Sequence, residues 1–351
     1  MPIQTVDPTT DPLWLRFVLQ HRSDVFHSPG WLRAIQETYD IPTRAYVITD
    51  DQGEPVAGMA FCQIEDIAGK RIAALPFSDY CDPLIDTAEQ WQLCANRLLE
   101  EQCPLVVRPL HNEIPLSDER FTLYNQAKWH GLDLTSGDTD ALWKHLDEGS
   151  RRAIRKARKN GVEVHRAEGE QGAEQLRAFF DLHLKIRKYK YRLLAQPYRF
   201  FENIWRYCVE QNGGFLMVAT LEQEIIGTIY FLIWKQTMYY KFNASSPDHL
   251  NYRPNDTMLW EGIQYAKEQG YTYMDFGLSD WDQEGLIRYK RKFATDEKTI
   301  SFLRFMPEGQ PSAQTGRIRG LMPKLTDLFT DEQVPDTVTE QAGDILYRFF
   351  S

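Results

Sequence analysis

The sequence predicts a mixed α/β fold in which two similar units of helices and strands follow one another along the chain. Three observations carry this prediction: the two halves share an order of elements, one strand segment matches between them, and the second half ends in a strand, a polar loop and a helix. A chain of 351 residues with 42% hydrophobic residues can bury a large core, and this length favours two domains over one.

The first half begins with two helical patterns and then changes to strand patterns. Helices are predicted near residues 12–21 and 30–39, strands near 44–48, 54–64 and 70–75, a helix near 88–102, and strands near 105–107 and 121–134. Three successive strands with short connections indicate an antiparallel start to the sheet.

The second half repeats this order. Helices are predicted near 174–190 and 198–211, strands near 215–220, 225–234 and 238–244, a helix near 256–269, and a strand from Tyr271. Residues 54–61 also match residues 224–231 with an offset of one residue. Coincidence explains that single match equally well, but the shared element order favours a tandem repeat.

The segment from Tyr271 to Phe293 has the pattern of a strand, a polar loop and a helix. Gly277 is expected to end the strand and residues 279–282 to form a turn. The helix that follows carries a dense group of cations, Arg288, Lys290, Arg291 and Lys292. A solvated basic helix is the alternative interpretation.

The ordered residues of this segment resemble the second domain of FemAB-type transferases, which are GNAT-fold N-acyltransferases. The matching residues are Asp275, Phe276, Gly277, Gly285, Leu286, Tyr289, Lys290 and Phe293. A second match has the family pattern R-x-x-I-R-K-A-x-x-x-G-V, here Arg151, Ile154, Arg155, Lys156, Ala157, Gly161 and Val162. The sequence departs from the family at Leu278, where a second Gly is common, and at Tyr289, where Phe is usual.

The resemblance extends from about Phe26 to Phe305 and implies two tandem GNAT-like domains with mixed, centrally antiparallel sheets. We expect domains at 1–134 and 135–308, followed by a linker and helical appendage at 309–351. In that appendage, Ala342 to Phe350 is predicted to form an amphipathic helix that docks through Ile345, Leu346 and Phe349.

Two basic clusters lie in the second half, at residues 150–161 and 185–192. The apolar members of the first cluster fall on one helical face, and Gly161 can end that helix. Either cluster is compatible with a solvated face. The functional alternative is that Arg155, Lys156, Lys188 and Lys190 bind phosphate groups of a donor through charge-assisted hydrogen bonds.

A loop in the first half places Asp79, Tyr80 and Asp82 directly after a predicted strand. Carboxylates and a phenol in such a loop suit proton transfer or amine binding. Asp82 before Pro83 also suits an ordinary turn. The loop resembles the S-D-Y loop of FemAB-like proteins, which faces their acceptor site.

The family resemblance implies amide formation on an amine of a cell-envelope precursor or another small amine. Lys290 would then stabilise an oxyanion or a donor phosphate, and Asp79 or Tyr80 would accept the amine proton. Asp82, Asn243, Asp275, Arg288 and Tyr289 are the expected substrate-binding residues. A GNAT-fold binding protein that recognises a glycan or a protein partner, without catalysis, is the alternative function.

Residues 251–257 occupy the place where ordinary GNAT enzymes have a Gly-rich loop for the pyrophosphate of coenzyme A. This segment contains no Gly, and Asp256 is expected to cap the next helix with a negative charge. We therefore expect no bound cofactor, and the resemblance implies aminoacyl-tRNA or an acyl thioester as the donor.

Other classes of function find little support in the composition. The five cysteines show no C-x-x-C spacing, so neither a disulfide framework nor a zinc or other metal site is predicted. No segment is long and apolar enough for a membrane span, and residues 1–11 lack the pattern of a signal peptide. We expect a cytoplasmic protein. Its net charge of −10 confines any tRNA contact to a local basic surface.

Overall fold

A computed structural model describes residues 1–167, 169–308 and 313–351. It divides the chain into two compact units, each built from more than one stretch of sequence. Unit 1 comprises Met1–Lys128, Lys298–Leu325 and Arg348–Ser351, and unit 2 comprises Trp129–Glu297 and Thr326–Tyr347.

Apart from β1, which was not predicted, the elements that begin before residue 129 agree closely with the sequence prediction. They are the strands β1 (Ile3–Val6), β2 (Thr43–Thr49), β3 (Pro55–Asp66), β4 (Gly69–Ala73), β5 (Leu105–Val107) and β6 (Thr122–Asp133), and the helices α1 (Pro12–Gln20), α2 (Pro29–Tyr39) and α3 (Ala88–Leu99).

The following stretch, up to residue 305, contains six strands and six helices among the described residues. They are β7 (Glu163–Ala167), β8 (Gly214–Leu221), β9 (Glu224–Trp234), β10 (Thr237–Ser245), β11 (Tyr273–Asp280) and β12 (Asp296–Phe305), with α4 (Thr139–His145), α5 (Glu148–Lys159), α6 (Gly169–Lys185), α7 (Tyr198–Tyr207), α8 (Pro254–Glu268) and α9 (Glu284–Arg291). A π-helical turn over Ile186–Lys190 extends α6.

The strands of unit 1 lie in the order β1-β2-β3-β4-β5-β12. Neighbouring strands are antiparallel except β4 and β5, which are parallel. The first turn of α1 and of α2 is capped by an acidic or hydroxyl side chain, and Trp14 and Trp31 of these helices are fully buried. These tryptophans anchor the helices on the sheet, since large aromatic side chains bury the most apolar area.

The strands of unit 2 lie in the order β6-β11-β10-β9-β8-β7. The strands from β7 to β10 are antiparallel neighbours, and β10 pairs with β11 in parallel. The predicted α/β class with mixed, centrally antiparallel sheets is therefore confirmed. The core of unit 2 includes Phe231, Met258 and Phe276, from two strands and the helix α8.

The sequence prediction was wrong at the end of β11 and in the stretch expected to be a linker. Gly277 does not end its strand, because β11 continues through it to Asp280. Much of the stretch expected to be a linker forms the helix α10 (Ala313–Phe329), while residues 309–312 lie outside the described part.

The C-terminal helix also differs from its prediction. The helix α11 (Asp336–Leu346) begins six residues earlier than expected, and a 3₁₀ turn covers Tyr347–Phe350. Ile345 was expected to dock but is 66% exposed, whereas Ala342 and Gly343 are buried. A Cβ atom on Gly343 would lie 2.5 Å from the carbonyl oxygen of Ala195, so the absence of a side chain permits this close approach.

Candidate active site

The two parallel strands of unit 2 separate part of the way along their length. Their register pairs Thr237 to Tyr239 of β10 with Tyr273 to Asp275 of β11, and the ladder ends there. Both strands nevertheless continue, to Ser245 and Asp280 respectively. A bulge in β10 between Tyr240 and Phe242 accompanies the divergence. The ladder therefore ends towards the carboxyl ends of two parallel strands, where α/β folds commonly bind ligands.

Gly277 gives β11 a kink just beyond the end of this ladder. Its φ angle of 68° lies in the left-handed region, which Gly adopts at no steric cost. Its backbone N–H donates a hydrogen bond of 2.6 Å to Oδ1 of Asp275, whose side chain is buried. Asp275, predicted to bind substrate, therefore has a structural contact that holds the kink.

The kink directs two backbone carbonyl groups towards Lys290 of α9. The Nζ atom of Lys290 donates to the carbonyl oxygens of Gly277, at 3.1 Å, and Leu278, at 2.7 Å. Lys290 is only 4% exposed, so its ammonium group is largely removed from bulk water. An ammonium group in such a place interacts strongly with any negative charge that develops nearby.

A polar cluster surrounds Tyr289, the residue that precedes Lys290 in α9. The Tyr289 hydroxyl and Oδ1 of Asp256 are buried, and neither has a hydrogen-bond partner among the described residues. Burial, with Tyr240 and Asp256 close by, raises the pKa of Tyr289 well above its ordinary value. Burial also raises the pKa of Tyr240, although a hydrogen bond with the side chain of Asn243 opposes the shift. Both phenols are therefore neutral at pH 7.

Asp256 lies in the first turn of α8 but is not its cap. The helix begins at Pro254, and its N-cap is Arg253 in the left-handed conformation, without a side-chain capping bond. The expectation that Asp256 caps this helix is therefore wrong. Burial raises the pKa of Asp256, while Lys292 and Arg253 oppose that shift.

Four of the predicted site residues of unit 2 fall into two groups. Lys290 and Asp275 lie at the kink of β11, while Tyr289 belongs to the polar cluster together with Asn243. Arg288 is exposed, two residues from Lys290 and therefore on another face of α9. Tyr240 was missed and Asp256 was predicted only as a helix cap, because neither belongs to the motifs of the resemblance.

Asp79, Tyr80 and Asp82 lie together in a loop of unit 1. Asp79 is partly exposed, whereas Tyr80 is 2% exposed, with its ring edge-on to Phe26 and His111. Oδ1 of Asp82 accepts three backbone N–H groups, from residues 110, 111 and 112, at 2.8–2.9 Å. Asp82 therefore ties two loops together, which is a structural role.

His27 anchors the same loop, and the sequence analysis did not identify it. Its Nε2 lies 2.9 Å from the carbonyl oxygen of Asp82, and its Nδ1 lies 3.1 Å from Oδ1 of Asp24. Burial acts to lower the pKa of His27, but Asp24 and Cys81 outweigh this effect and raise it well above its ordinary value. A protonated imidazole can donate to both oxygens, so His27 fixes the position of the loop.

The basic helix α5 has two rows of cations with different partners. Arg151, Arg155 and Arg158 form one row at helical spacing, and each makes an ion pair, with Glu148, Glu148 and Glu261 respectively. Arg152, Lys156 and Lys159 form a second exposed row at the same spacing, and they make no ion pair among the described residues. We call this second row the α5 stripe.

The second basic cluster is less available for phosphate binding than the sequence predicts. Lys188 is fully buried, and its Nζ donates to Oδ1 of Asp336 at 2.8 Å and to the carbonyl oxygen of Val334. This arrangement argues against a phosphate-binding role for Lys188. Lys190 is exposed, and its ammonium group lies 5.1 Å from the ring centroid of Tyr191.

Among the described residues, no group of three or more His, Cys, Asp or Glu side chains is arranged to hold a metal ion. None of the helices there has the length and apolar character that crossing a bilayer requires.

Comparison with known proteins agrees with the fold of unit 2. A profile of the GNAT acetyltransferase domain matches residues 147–291. Two Lipid II:glycine glycyltransferases, from two strains of Staphylococcus epidermidis, are each 40% identical to this chain over 63 residues. That match covers 16% of this chain and only 15% of each glycyltransferase.

Solved structures extend the similarity to nearly the whole chain. FemX is 15% identical, with a TM-score of 0.67, over 92% of this chain and 100% of its own. L-PGS from Bacillus licheniformis is 13% identical, with a TM-score of 0.57, over 90% of this chain and 97% of its own. A tandem GNAT protein from the clavulanic acid biosynthesis pathway is 9% identical, with a TM-score of 0.51, over 89% of this chain and 100% of its own.

These similarities define the class of the protein as a tandem GNAT fold with an acetyltransferase-type domain at residues 147–291. Within that class, the resemblance to FemAB-like proteins inferred from the sequence is confirmed.

Proposed function

We propose that the protein is an N-acyltransferase that transfers an acyl or aminoacyl group to an amine. The observation that carries this proposal is the buried ammonium group of Lys290, held by the Gly277 and Leu278 carbonyls beside the diverging strands. A fixed positive charge in a site sheltered from water stabilises an oxyanion without reorganisation during the reaction. Acyl transfer to an amine requires this stabilisation.

The proposed reaction is a direct attack of the amine on the donor carbonyl carbon. A bond forms between the amine nitrogen and that carbon, and the bond from the carbon to the ester oxygen or thioester sulfur breaks. The proton lost by the amine ends on the departing hydroxyl or thiol. Lys290 stabilises the carbonyl oxygen while it carries negative charge, and Asp79 is the proposed acceptor that passes the amine proton on. Binding of both reactants in one orientation supplies further acceleration.

For the donor, we propose an aminoacyl-tRNA in preference to an acyl thioester. The α5 stripe supports this choice, because three exposed cations without acidic partners attract a polyanion even when the whole chain carries a net charge of −10. Residues four apart on a helix are neighbours on its surface, so the stripe can contact successive phosphates of a nucleic-acid backbone. Lys190 is a further candidate contact, whereas Arg155 is already paired with Glu148.

The first turn of α8 also disfavours coenzyme A. The segment before it contains no Gly, and the buried carboxylate of Asp256 lies in the turn. A carboxylate opposes an anion at a helix N-terminus, where a pyrophosphate would otherwise find free N–H groups.

For the acceptor, we propose an amine of a cell-envelope precursor, with the reaction in the cytoplasm. The support is the short match to the Lipid II:glycine glycyltransferases. Asn243 and Tyr289 are the proposed acceptor-binding or donor-binding residues of unit 2, because their polar groups lie beside the diverging strands.

The test is a transfer assay with purified protein and a panel of labelled donors, including aminoacyl-tRNA, acetyl-coenzyme A and other acyl thioesters. Amine acceptors would include a lipid-linked peptidoglycan precursor, and mass spectrometry would detect the new amide. Transfer from any of these donors supports an acyltransferase. Binding of an envelope precursor without transfer from any donor would favour a GNAT-fold binding protein.

A further inference from the structure

The polar cluster draws its four side chains from three elements of unit 2. Tyr240 and Asn243 belong to β10, Asp256 to the first turn of α8, and Tyr289 to α9. Asn243 forms a hydrogen bond with Tyr240, and Asp256 is close enough to both phenols to raise their pKa values. Tyr240 directly follows the last residue of β10 that pairs with β11, so the cluster begins where the parallel ladder ends.

Two polar atoms of the cluster are buried without a hydrogen-bond partner. They are Oδ1 of Asp256 and the hydroxyl group of Tyr289, judged against the residues that the structure describes. Lys292 and Arg253 act on the Asp256 carboxylate only through space, and within the described ranges neither makes an ion pair with it. A buried polar atom without a partner costs free energy, most of all when it carries charge. The cluster therefore has two atoms that a ligand can satisfy.

The side chains around the buried carboxylate are within reach of solvent. Tyr240, Asn243 and Tyr289 are partly exposed, whereas Asp256 is only 7% exposed. Tyr191, an exposed residue, is close enough to Tyr240 to affect its pKa. Convergent polar groups with shifted pKa values, beside partly exposed aromatic side chains, are typical of binding sites for small chemical groups.

The chemistry of the two atoms favours a ligand group that donates hydrogen bonds and carries a positive charge. A carboxylate oxygen only accepts hydrogen bonds, and a phenol oxygen accepts them as well. A primary ammonium group has three N–H donors, so one such group can satisfy Asp256 and Tyr289 together. Its charge also favours the ionised form of the carboxyl group, whereas an anionic ligand would disfavour that form.

We propose that Asp256 and Tyr289 bind a primary ammonium group of a substrate and thereby select substrates that carry one. An aminoacyl donor has this group next to its ester carbonyl, and an amine acceptor has it on the carbon chain to be modified. The identification of the ligand as a substrate rests on the proposed function. The ammonium site itself rests on the two buried atoms without partners.

Titration with small amines at constant ionic strength and pH 7, followed by ligand-observed NMR, tests the site. The probes are alaninamide, which resembles an aminoacyl group, butylamine, which resembles a side-chain acceptor, and N-acetylalaninamide, which has no ammonium group. We expect saturable binding of an amine and no binding of N-acetylalaninamide. Tighter binding of alaninamide would assign the site to the donor, and tighter binding of butylamine would assign it to the acceptor.

Two conservative variants measure the contribution of each atom. Asp256→Asn should weaken amine binding by roughly 10- to 100-fold, as expected for the loss of a charge-assisted hydrogen bond. Tyr289→Phe should weaken it by roughly 3- to 10-fold, as expected for a neutral hydrogen bond. Because the Tyr289 hydroxyl has no partner in the described part of the chain, Tyr289→Phe should not lower the melting temperature of the free protein.

Two further variants serve as controls for charge. Lys292→Gln removes a cation that acts on Asp256, so this variant should bind the amine at least as tightly as the wild type does. Glu268→Gln removes an exposed carboxylate at the other end of α8 and should leave amine binding unchanged.

Absence of amine binding to the wild-type protein would overturn the proposal, as would equal binding of N-acetylalaninamide or unchanged binding by folded Asp256→Asn. Weaker binding by Lys292→Gln would contradict recognition of a cation. A lower melting temperature of Tyr289→Phe would assign its hydroxyl a structural role and remove Tyr289 from the site.

The titration needs no acyl transfer, so the two proposals fail separately. Amine binding that depends on Asp256, in a protein that is inactive with every donor, would refute the proposed function and retain the ammonium site. Acyl transfer by a protein whose amine binding does not depend on Asp256 would have the opposite consequence.

Discussion

The Nζ atom of Lys290 lies 2.7 Å from the carbonyl oxygen of Leu278, at the point where β11 has left its parallel neighbour. This contact joins α9 to the end of the strand through an ammonium group. It places the charge at a fixed point because the carbonyl oxygen of Gly277 accepts a second hydrogen bond from the same ammonium group. The consequences for activity can be tested directly.

Replacement of Lys290 by Ala should lower the turnover number by roughly 100- to 1000-fold, the effect expected for the loss of one oxyanion-stabilising donor. Arg291→Ala is the matched control, because Arg291 is an exposed cation on the same helix that pairs with Glu297 and has no predicted role in the site. Steady-state kinetics and thermal unfolding should be measured for both variants. Unchanged turnover in Lys290→Ala would remove this residue from the mechanism, and a loss explained entirely by unfolding would assign it a structural role.

Asp79 and Tyr80 should differ in their effects, although both were predicted to accept the amine proton. Asp79→Asn should lower turnover by roughly 100-fold or more, because the carboxylate is partly exposed and suited to proton transfer. Tyr80→Phe should retain most activity, since the buried ring keeps its contacts with Phe26 and His111. A larger loss in Tyr80→Phe than in Asp79→Asn would reverse this assignment.

The α5 stripe should dominate any binding of tRNA. Removing the three cations with Arg152→Gln, Lys156→Gln and Lys159→Gln should weaken binding and reduce the slope of log affinity against log salt by roughly 0.7–0.9 for each lost phosphate contact. The control carries the same change of charge elsewhere, at the exposed residues Arg199, Arg206 and Lys324. Equal salt dependence in the two triple variants would show that the stripe is a solvated face, and the thioester donor would then be favoured.

Coenzyme A should be a poor ligand. The segment before α8 has no Gly, and the carboxylate of Asp256 lies in the first helical turn. Calorimetry with acetyl-coenzyme A should therefore detect no binding in the low micromolar range. A tight complex would contradict this argument and make a conventional acetyltransferase the better assignment.

Asp82 should make stability depend on pH in a defined window. Burial raises its pKa from 3.8 to about 6, so the native state holds this proton more tightly than the unfolded chain does. The protonated Asp82 carboxyl therefore contributes fully to the free energy of unfolding below about pH 4, and this contribution is lost as the pH rises to about 6. A pKa shift of this order corresponds to about 3 kcal/mol.

Asp82→Asn retains an oxygen acceptor for the three N–H groups but cannot ionise. The free energy of unfolding should be measured in urea at pH 4, 5, 6 and 7 for both proteins. The free energy of unfolding of the variant, minus that of the wild type, should increase as the pH rises from 4 to 7. If that difference stays constant from pH 4 to 7, the carboxyl group does not have the raised pKa.

The sequence by itself determined the features that depend on neighbours along the chain. The spacing of Ala153, Ile154 and Ala157 predicts α5, and Gly161, with a φ angle of 81°, lies just after its end. The strands from β2 to β4 were predicted for the same reason, because alternation and short connections are local properties. Lys290 could be predicted as a site residue because the residues of its motif all lie in one short segment of the sequence.

The tertiary structure decided which charged groups have partners and which remain available. Lys188 is buried against Asp336, 148 residues further along the chain, and Arg158 pairs with Glu261, so part of each basic cluster is neutralised by residues that no local pattern predicts. Asp82 receives N–H groups from residues 110–112, and β11 passes through Gly277 because Asp275 accepts its N–H. Burial and ion pairing depend on contacts between distant segments, and only the folded chain brings these segments together.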